Sequence, residues 1–358
     1  MLHVVMMVGG AGTRFWPVSR QAHPKYLLPI VGDKSMLVQT VERVSPMVPP
    51  ERVLCVTTKE QAAAIRRALP QLPKKNVIAE PMGRDSAACI ALAAVTVNRL
   101  DPDAVMLCMP GDSLVEQAGK FRQAVRAAER LARAGKLVTF GIKPTAPETR
   151  FGYVQRGRRI PCIKGARAFE VRRFAEKPNL AAAKRMVWSG DYYWNSGNFV
   201  WRADVILAEI QKHAPALHAA VERIRPALGT SRAARAIRTE YEKLPRISID
   251  YAVMERARDV AVIEAEFDWD DVGSWTSLER HHRQDDAGNT CLGRNTLMMD
   301  SSGCIVSTGE EHLVAALGLR DVIIVHTADA TLVCPKDRAG DVKKLVDELM
   351  KRRLDRLL

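Results

Sequence analysis

The opening stretch MLHVVMMVGGAGTRFWPVSR, residues 1–20, decides how this 358-residue chain folds. Residues 4–8 form an unbroken apolar run that ends at two glycines, which is typical of a strand buried inside a parallel sheet. The run is short and no basic segment precedes it, so it predicts a strand and not a signal peptide. No run of 18 apolar residues follows, and the sequence therefore predicts no membrane-spanning helix.

The same pattern recurs along the amino-terminal part of the chain. Short β-branched runs alternate there with stretches of helical period, which is typical of βαβ units around a mostly parallel sheet. Strands are predicted at 52–57, 77–79, 104–109 and 137–141, and helices at 36–44, 60–69, 86–100 and 121–134. This pattern predicts an α/β fold, a doubly wound Rossmann-like sandwich.

The pattern changes twice towards the carboxyl terminus. Residues 150–285 are mixed, with helices between 180 and 257 and strands at 153–155, 169–174, 198–201 and 260–264. Short strands separated by Gly, Asp and Ser turns then predict a small all-β piece at 296–299, 304–307, 313–316, 322–325 and 331–334. Apolar residues from Val342 to Leu357 predict a terminal amphipathic helix.

Composition excludes several classes of protein. Apolar residues make up 47% and charged residues 27%, which argues against disorder and coiled coil. The net charge of +13 arises partly from a helical face at 120–136, and no named nucleic-acid module accompanies it, so no nucleic acid and no membrane is expected as a partner. Seven scattered cysteines predict free thiols in a reducing compartment, so a cytoplasmic location is expected.

The glycines after the first strand predict a phosphate-binding loop. Gly9, Gly10 and Gly12 allow backbone N–H groups to approach an anion, and Arg14 and Lys25 would supply positive charge. Phe15 stands where a dinucleotide fingerprint requires its last glycine, and the spacing of a Walker loop is also missing. A merely structural turn is the alternative, although such a turn needs neither cation.

The loop and five later segments resemble the sugar-1-phosphate nucleotidylyltransferase family, and Phe-Trp-Pro-x-Ser-Arg is similar to its mannose-1-phosphate guanylyltransferases. The later segments are AEPMGRDSAA (79–88), FAEKP (174–178), WNSGNFVW (194–201), SIDYAVME (248–255) and WDDVGSW (269–275). The resemblance implies that GTP and mannose 1-phosphate give GDP-mannose and pyrophosphate. It also implies a catalytic domain at 1–286, with nucleotide and sugar halves at about 1–145 and 146–286, and a short left-handed β-helix with a terminal helix at 287–358.

The expected chemistry needs cations and not a catalytic base. A sugar phosphate is already ionised at pH 7, so attack on the α-phosphorus of GTP requires positioning and charge neutralisation. Mg²⁺ or another divalent cation would take one or two carboxylates. Asp112 follows a predicted strand, as expected for a ligand at the carboxyl edge of such a sheet. Asp271, in the WDDVGSW segment, is the other candidate, while Asp270 or a purely structural role remains an alternative.

The resemblance implies a role for each site residue. The catalytic residues are Arg14, Lys25, Asp112 and Asp271, and the two aspartates are the metal ligands. The nucleotide would be bound by Gly9, Gly10, Gly12, Thr13, Arg14, Glu80, Pro81, Arg84, Asp85 and Ser86. The sugar phosphate would be bound by Gly152, Tyr153, Glu176, Lys177 and Asn195. The eight histidines lack metal spacing, and His281 and His282 are expected to be solvated.

Some positions depart from the family pattern. Tyr26 stands where glutamine is common, Gly111 where serine is usual, and Asp85–Ser86 replace Asn-Thr. A nucleotidylyltransferase for another hexose or heptose 1-phosphate or another nucleotide therefore remains open, as does a catalytically silent regulatory subunit. A homodimer is compatible with the resemblance, whereas the residues after Gly288 are too few for a phosphomannose isomerase domain.

Overall fold

The computed structural model describes residues 1–10, 12–161, 165–309 and 311–358. They form two compact units. The first unit comprises Met1–Gly9, Val41–Gly111 and Val115–Trp269, and the second comprises Gly10–Thr40, Asp112–Leu114 and Asp270–Leu358. The second unit thus includes segments well before residue 287, and the domain division predicted from the sequence stays a prediction. None of the helices in these ranges is long and apolar enough to cross a membrane.

A nine-stranded sheet forms the centre of the first unit. Its strands lie in the order β3-β2-β1-β4-β8-β5-β9-β7-β6. The strands are β1 (Leu2–Val8), β2 (Val53–Thr58), β3 (Val77–Glu80), β4 (Val105–Pro110), β5 (Leu137–Ile142), β6 (Tyr153–Ile160), β7 (Ala168–Ala175), β8 (Tyr192–Arg202) and β9 (Val260–Glu264). Of these strands, β7 and β8 run opposite to the rest, so the sheet is mostly parallel as predicted.

The helices agree closely with the periodicity of the sequence. They are α1 (Met36–Val44), α2 (Ala62–Ala68), α3 (Asp85–Leu100), α4 (Ala118–Arg133), α5 (Leu180–Ser189), α6 (Ala203–His213), α7 (Pro215–Ile224), α8 (Ala233–Tyr241) and α9 (Val342–Lys351). Many alanines in α3 let it lie buried against α6 and α7. The helix α4 buries Phe121, Val125 and Leu131, and its many basic residues lie on the other side, as predicted.

Short strands make up most of the carboxyl-terminal part of the second unit. They are β10 (Thr290–Leu292), β11 (Thr296–Met299), β12 (Ile305–Ser307), β13 (Val314–Leu317), β14 (Val322–His326) and β15 (Thr331–Pro335). The strands β10, β12 and β14 pair in parallel, as do β11 and β13, while β15 is antiparallel to β14. Stacked parallel pairs of such short strands are typical of a β-helix.

The terminal helix is shorter than predicted. Arg353 adopts a left-handed φ of 57°, and the N–H groups of Arg353 and Leu354 bond to the carbonyls of Met350 and Leu349. This pair of bonds is a Schellman motif, which ends a helix. The apolar residues Leu354 and Leu357, predicted as part of the helix, therefore lie beyond α9.

Candidate active site

The glycine loop that follows β1 is shaped to lie against Lys25. Gly10 and Gly12 have φ values of 87° and 62°, a conformation that favours glycine. A Cβ atom on Gly12 would overlap the Cβ of Lys25. The Ser19 hydroxyl donates to the Gly12 carbonyl at 2.7 Å and holds this approach in place. The loop thus requires glycine at position 12 for two reasons, backbone conformation and space.

The buried ammonium of Lys25 links both predicted metal-binding segments. Its Nζ lies 3.0 Å from Asp112 Oδ2 and donates to the backbone oxygen of Asp271 at 2.7 Å. Leu114 and Asp270 form an antiparallel bridge between the same two segments. Arg14 is placed less firmly, because its guanidinium reaches the Gly273 carbonyl only at 3.5 Å. The structure therefore brings Lys25, Asp112 and the backbone of Asp271 together.

The carboxylate of Asp270, the residue before Asp271, is bonded within the fold on both of its oxygens. Its two carboxylate oxygens accept bonds from Arg280 at 2.7 and 2.9 Å, from His281 at 2.8 Å and from the Val272 N–H at 2.8 Å. Burial alone would raise the pKa of Asp270, but hydrogen bonds from His281, Arg280 and Val272 outweigh it and hold the pKa far below its usual range. This carboxylate is therefore charged at neutral pH, and both of its oxygens are bonded within the fold.

The expectation of solvated histidines is wrong. The side chain of His281 is 10% exposed because it packs onto Asp270. His282 lies 3.1 Å from the Ile30 carbonyl through its Nε2 atom. The 3₁₀ helix Trp275–Arg280 ends just before both residues, which are half-buried. Sequence spacing could not reveal this, because Asp270 lies eleven residues earlier and no regular helix connects the two.

Glu80, predicted to bind the base, is buried at the end of β3 in the first unit. The Tyr241 hydroxyl lies 2.9 Å from Glu80 Oε1 and 3.1 Å from the Ala88 carbonyl. The Tyr241 hydroxyl is the donor in both contacts, so Glu80 Oε1 and the Ala88 carbonyl share its proton. Burial raises the pKa of Glu80 to about 7, although the Tyr241 bond opposes the shift.

The rest of the predicted base segment is tied to neighbouring backbone. The guanidinium of Arg84 donates to the carbonyls of Tyr241 at 2.8 Å and Glu242 at 3.0 Å. Asp85 begins α3 with a φ of 68°, and its side chain accepts from the Ser86 N–H. The Ser86 hydroxyl accepts from the Ile249 N–H at 2.9 Å. Pro81 lies in the bend between β3 and these anchors, so this segment has a fixed shape.

Four of the five predicted sugar-binding residues cluster in the first unit. A Cβ atom on Gly152 would overlap the Glu176 carboxylate, so glycine makes room for that side chain. The Gly152 carbonyl accepts from the Asn195 N–H at 2.8 Å, and Lys177 pairs with Glu176 at 2.7 Å. Tyr153 is different, because it is fully buried and packs into the core.

The few carboxylates near Lys25 fit a metal ion that is bound together with substrate phosphates. Within the described ranges no group of three or more His, Cys, Asp or Glu side chains could hold a metal ion. Asp112 has 43% of its side chain exposed, whereas Lys25 has 6%. Mg²⁺ typically uses one or two carboxylates and completes its shell with phosphate oxygens and water. The exposed carboxylate of Asp112 suits that kind of site, and Asp271 as the second ligand stays a prediction.

A family model for nucleotidyl transferases matches residues 3–288. The chain belongs to this family. A second model, the MannoseP isomerase/GMP-like β-helix domain, matches residues 294–349 of this nucleotidyl transferase. The resemblance and the fold class stated from the sequence are thus confirmed, whereas the handedness of the β-helix stays a prediction.

Relatives of known name resemble this nucleotidyl transferase along nearly its whole length. Mannose-1-phosphate guanylyltransferase of Klebsiella pneumoniae is 40% identical over 354 residues, which cover 98% of this chain and 74% of the relative. Xanthan biosynthesis protein XanB of Xanthomonas campestris pv. campestris is 39% identical over 350 residues, 96% of this chain and 72% of the relative.

Two solved structures resemble the fold to different degrees. A Thermus thermophilus structure described as mannose-1-phosphate geranyltransferase has a TM-score of 0.87 and 34% identity, and the match covers 98% of this chain and 99% of that one. Mannose-6-phosphate isomerase of Helicobacter pylori has a TM-score of 0.61 and 26% identity over 75% of this chain and 99% of that one.

Proposed function

We propose that this nucleotidyl transferase transfers GMP from GTP to mannose 1-phosphate and releases pyrophosphate. The observation that carries the proposal is the buried Lys25 ammonium, 3.0 Å from Asp112 Oδ2 and 2.7 Å from the Asp271 carbonyl. A cation paired with a carboxylate beside a glycine loop suits a reaction between a nucleoside triphosphate and a sugar phosphate. The relatives named mannose-1-phosphate guanylyltransferase support the choice of guanine and mannose.

The reaction forms one phosphorus–oxygen bond and breaks another. An oxygen of the sugar phosphate attacks the α-phosphorus of GTP, and the bond to the β-phosphate breaks as pyrophosphate leaves. The nucleophile is ionised at neutral pH, so no side chain needs to remove a proton. Arg14 and Lys25 would neutralise charge that moves towards the departing pyrophosphate, and the N–H groups of Gly9, Gly10, Gly12 and Thr13 would hold its oxygens.

We assign the metal to Asp112 and Asp271 rather than to Asp270. Both oxygens of Asp270 are already bonded to Arg280, His281 and Val272, so a cation would have to displace them. Mg²⁺ or another divalent cation would supply positive charge to the phosphates when bound. Lys25 would orient Asp112 and fix the backbone at Asp271, which keeps both carboxylates ready.

The base and the sugar phosphate are assigned to residues of the first unit. Glu80, Arg84, Asp85 and Ser86 are bonded within the fold, so we propose that they fix the segment while backbone groups from Pro81 onwards bind guanine. Gly152, Glu176, Lys177 and Asn195 would contact the sugar phosphate, with Lys177 facing the phosphate. For Tyr153 we propose support of this site from the core.

The test is pyrophosphate release with four substrate pairs: GTP or ATP with mannose 1-phosphate or glucose 1-phosphate. We expect kcat/KM to favour GTP over ATP by about 30-fold or more, since two unmet acceptors cost about 1 to 3 kcal/mol each. Mannose 1-phosphate should be preferred over its 2-epimer. Equal rates with ATP would contradict the guanylyl assignment, and a faster reaction with another sugar phosphate would favour the sister enzyme. No turnover with any pair would favour the silent subunit.

We also propose that the enzyme works in the cytoplasm as a soluble protein. The six cysteines among the described residues are all free thiols, which suits a reducing compartment. Assembly into a homodimer belongs to the same proposal. Cell fractionation followed by light scattering of the purified protein would check both statements.

A further inference from the structure

The side chain of Asn195 is oriented by three neighbours inside the predicted sugar site. Its Oδ1 accepts from the Thr139 hydroxyl at 2.8 Å and lies 3.3 Å from the Gly197 N–H. A backbone N–H can only donate, so the amide oxygen must face Gly197 and the amide nitrogen must face the other way. That nitrogen donates to Asp250 Oδ1 at 2.9 Å. One amide hydrogen remains for a sugar oxygen.

Asp250 belongs to a turn whose two ends reach two predicted sugar-binding residues. The π-helical turn Asp250–Met254 is closed by a bond of 3.0 Å from the Glu255 N–H to the Asp250 carbonyl. This i to i+5 bond places residue 255 next to residue 250, which an α-helix would not do. The Glu255 carboxylate accepts from the Glu176 N–H at 2.8 Å. The turn therefore contacts Asn195 at its start and Glu176 at its end.

We propose that the turn from Asp250 to Glu255 positions the sugar-phosphate site, with Asp250 orienting the Asn195 amide and Glu255 fixing the backbone of Glu176. Both are positioning residues, because each acts through a neighbour that would touch the sugar. The inference rests on the proposed function and adds the residues that make its sugar site rigid. Neither residue was assigned a role from the sequence.

The charged groups around Asp250 shift its pKa, so its proposed role should also depend on pH. Burial and the nearby Glu176 carboxylate raise the pKa of Asp250 above its usual range, while Lys177 and a bond from Ser248 oppose the shift. Tyr251 interacts with Lys177, and Glu255 contacts the Glu176 backbone. Asp250 therefore binds a proton at a higher pH than an exposed aspartate does, which changes how strongly it holds the Asn195 amide.

The test compares Asp250→Ala with Asp250→Asn in the full-length enzyme. We expect Asp250→Ala to raise KM for mannose 1-phosphate about tenfold or more, because the Asn195 amide loses a bond to a charged group. KM for GTP should stay within about twofold. Asparagine keeps an oxygen acceptor, so Asp250→Asn should restore KM for the sugar phosphate to within about threefold. Asp259→Ala, a change at an exposed aspartate of the same unit, is the matched control.

A pH profile separates positioning from a merely structural effect. The wild-type profile of kcat/KM for mannose 1-phosphate should contain a transition at a pH above the usual aspartate range that Asp250→Asn lacks, whereas the titration of the substrate phosphate is common to both. If Asp250→Ala does not fold, Glu255→Ala and Glu255→Gln repeat the comparison at the other end of the turn.

The outcomes distinguish the two proposals. A wild-type enzyme that releases no pyrophosphate with mannose 1-phosphate would overturn the proposed function. An active wild type whose KM for the sugar phosphate is unchanged in Asp250→Ala and Glu255→Ala would overturn the positioning role alone. An Asp250→Asn profile identical to that of the wild type would overturn the role of the Asp250 proton.

Discussion

Two buried carboxyl groups, Asp270 in the second unit and Glu80 in the first, have pKa values that are shifted in opposite directions. Asp270 is surrounded by Arg280, His281 and a backbone N–H, which hold its pKa far below the usual range. Glu80 is bonded to the neutral hydroxyl of Tyr241, and burial raises its pKa to about 7. Burial opposes the charge in both cases, so the neighbours decide which form persists.

Because their pKa values differ, the carboxyl groups of the two units are expected to have different roles. A charged carboxylate forms ion pairs with nearby cations. In the second unit Asp112 pairs with Lys25, and Asp270 pairs with Arg280. A carboxyl with a raised pKa carries less negative charge near neutral pH, and Glu80 still bonds to Tyr241 in the segment for which we propose guanine binding. Substitutions that remove one charged or titrating carboxyl group at a time test this difference between the two units.

The largest effect is expected from Asp271→Asn. Losing a charged ligand from a reaction controlled by electrostatics should lower turnover about 10³-fold, while the free energy of unfolding changes little. Turnover at saturating Mg²⁺ and urea unfolding check both halves. The exposed Asp286→Asn, in the same unit, is the control. Near wild-type turnover would remove Asp271 from the metal site.

Asp270→Asn should mainly affect stability. Removing the charge leaves Arg280 and His281 without their anion, so we expect the free energy of unfolding to fall by about 3 kcal/mol. The folded pKa of Asp270 is depressed, so its contribution is present above about pH 4, its unfolded value, and is lost as the pH falls further. Urea unfolding at pH 7 and pH 3 should show the variant and wild type converging in acid. A constant difference would contradict the charge argument.

Glu80→Gln should have a smaller effect with the opposite pH dependence. The folded pKa of Glu80 is raised to about 7, so its contribution is complete below the unfolded value of about 4.5 and is lost as the pH rises towards 7. Glutamine keeps an oxygen that accepts from the Tyr241 hydroxyl and carries no charge, so the wild type should lose about 2 kcal/mol relative to Glu80→Gln over this interval. Urea unfolding from pH 4.5 to 8 measures this, with the exposed Glu60→Gln as control. Parallel curves would show that Glu80 is ionised throughout.

Sequence patterns predicted the elements well where the signal is local. The strand at 260–264 and the helix at 36–44 match the observed bounds, because a short apolar run and a 3.6-residue period are visible within each segment. The first part of β8 was missed, since the polar residues of its WNSG segment interrupt the apolar pattern. The three-residue strand β10 is too short to give any period.

The site residues stay a prediction from the sequence, whereas their partners are visible only in the fold. The glycine loop followed by Arg14 and Lys25 indicated a phosphate site because residue types and spacing carry that information. The partners of Asp270 depend on the position of Arg280, and Glu80 is bonded to Tyr241, 161 residues away. Asp250 lay within a quoted motif, yet its bond to Asn195, 55 residues away, gave no local signal.

The close fit of Gly12 against Lys25 limits how this loop can change during evolution. The atom that a side chain at position 12 would meet is the Cβ of Lys25, which every residue except glycine carries and which no rotamer moves. Replacing Lys25 by alanine thus does not make a side chain at position 12 tolerable, and the two positions are coupled. Any lineage that lost this glycine would need to rebuild the backbone of the loop.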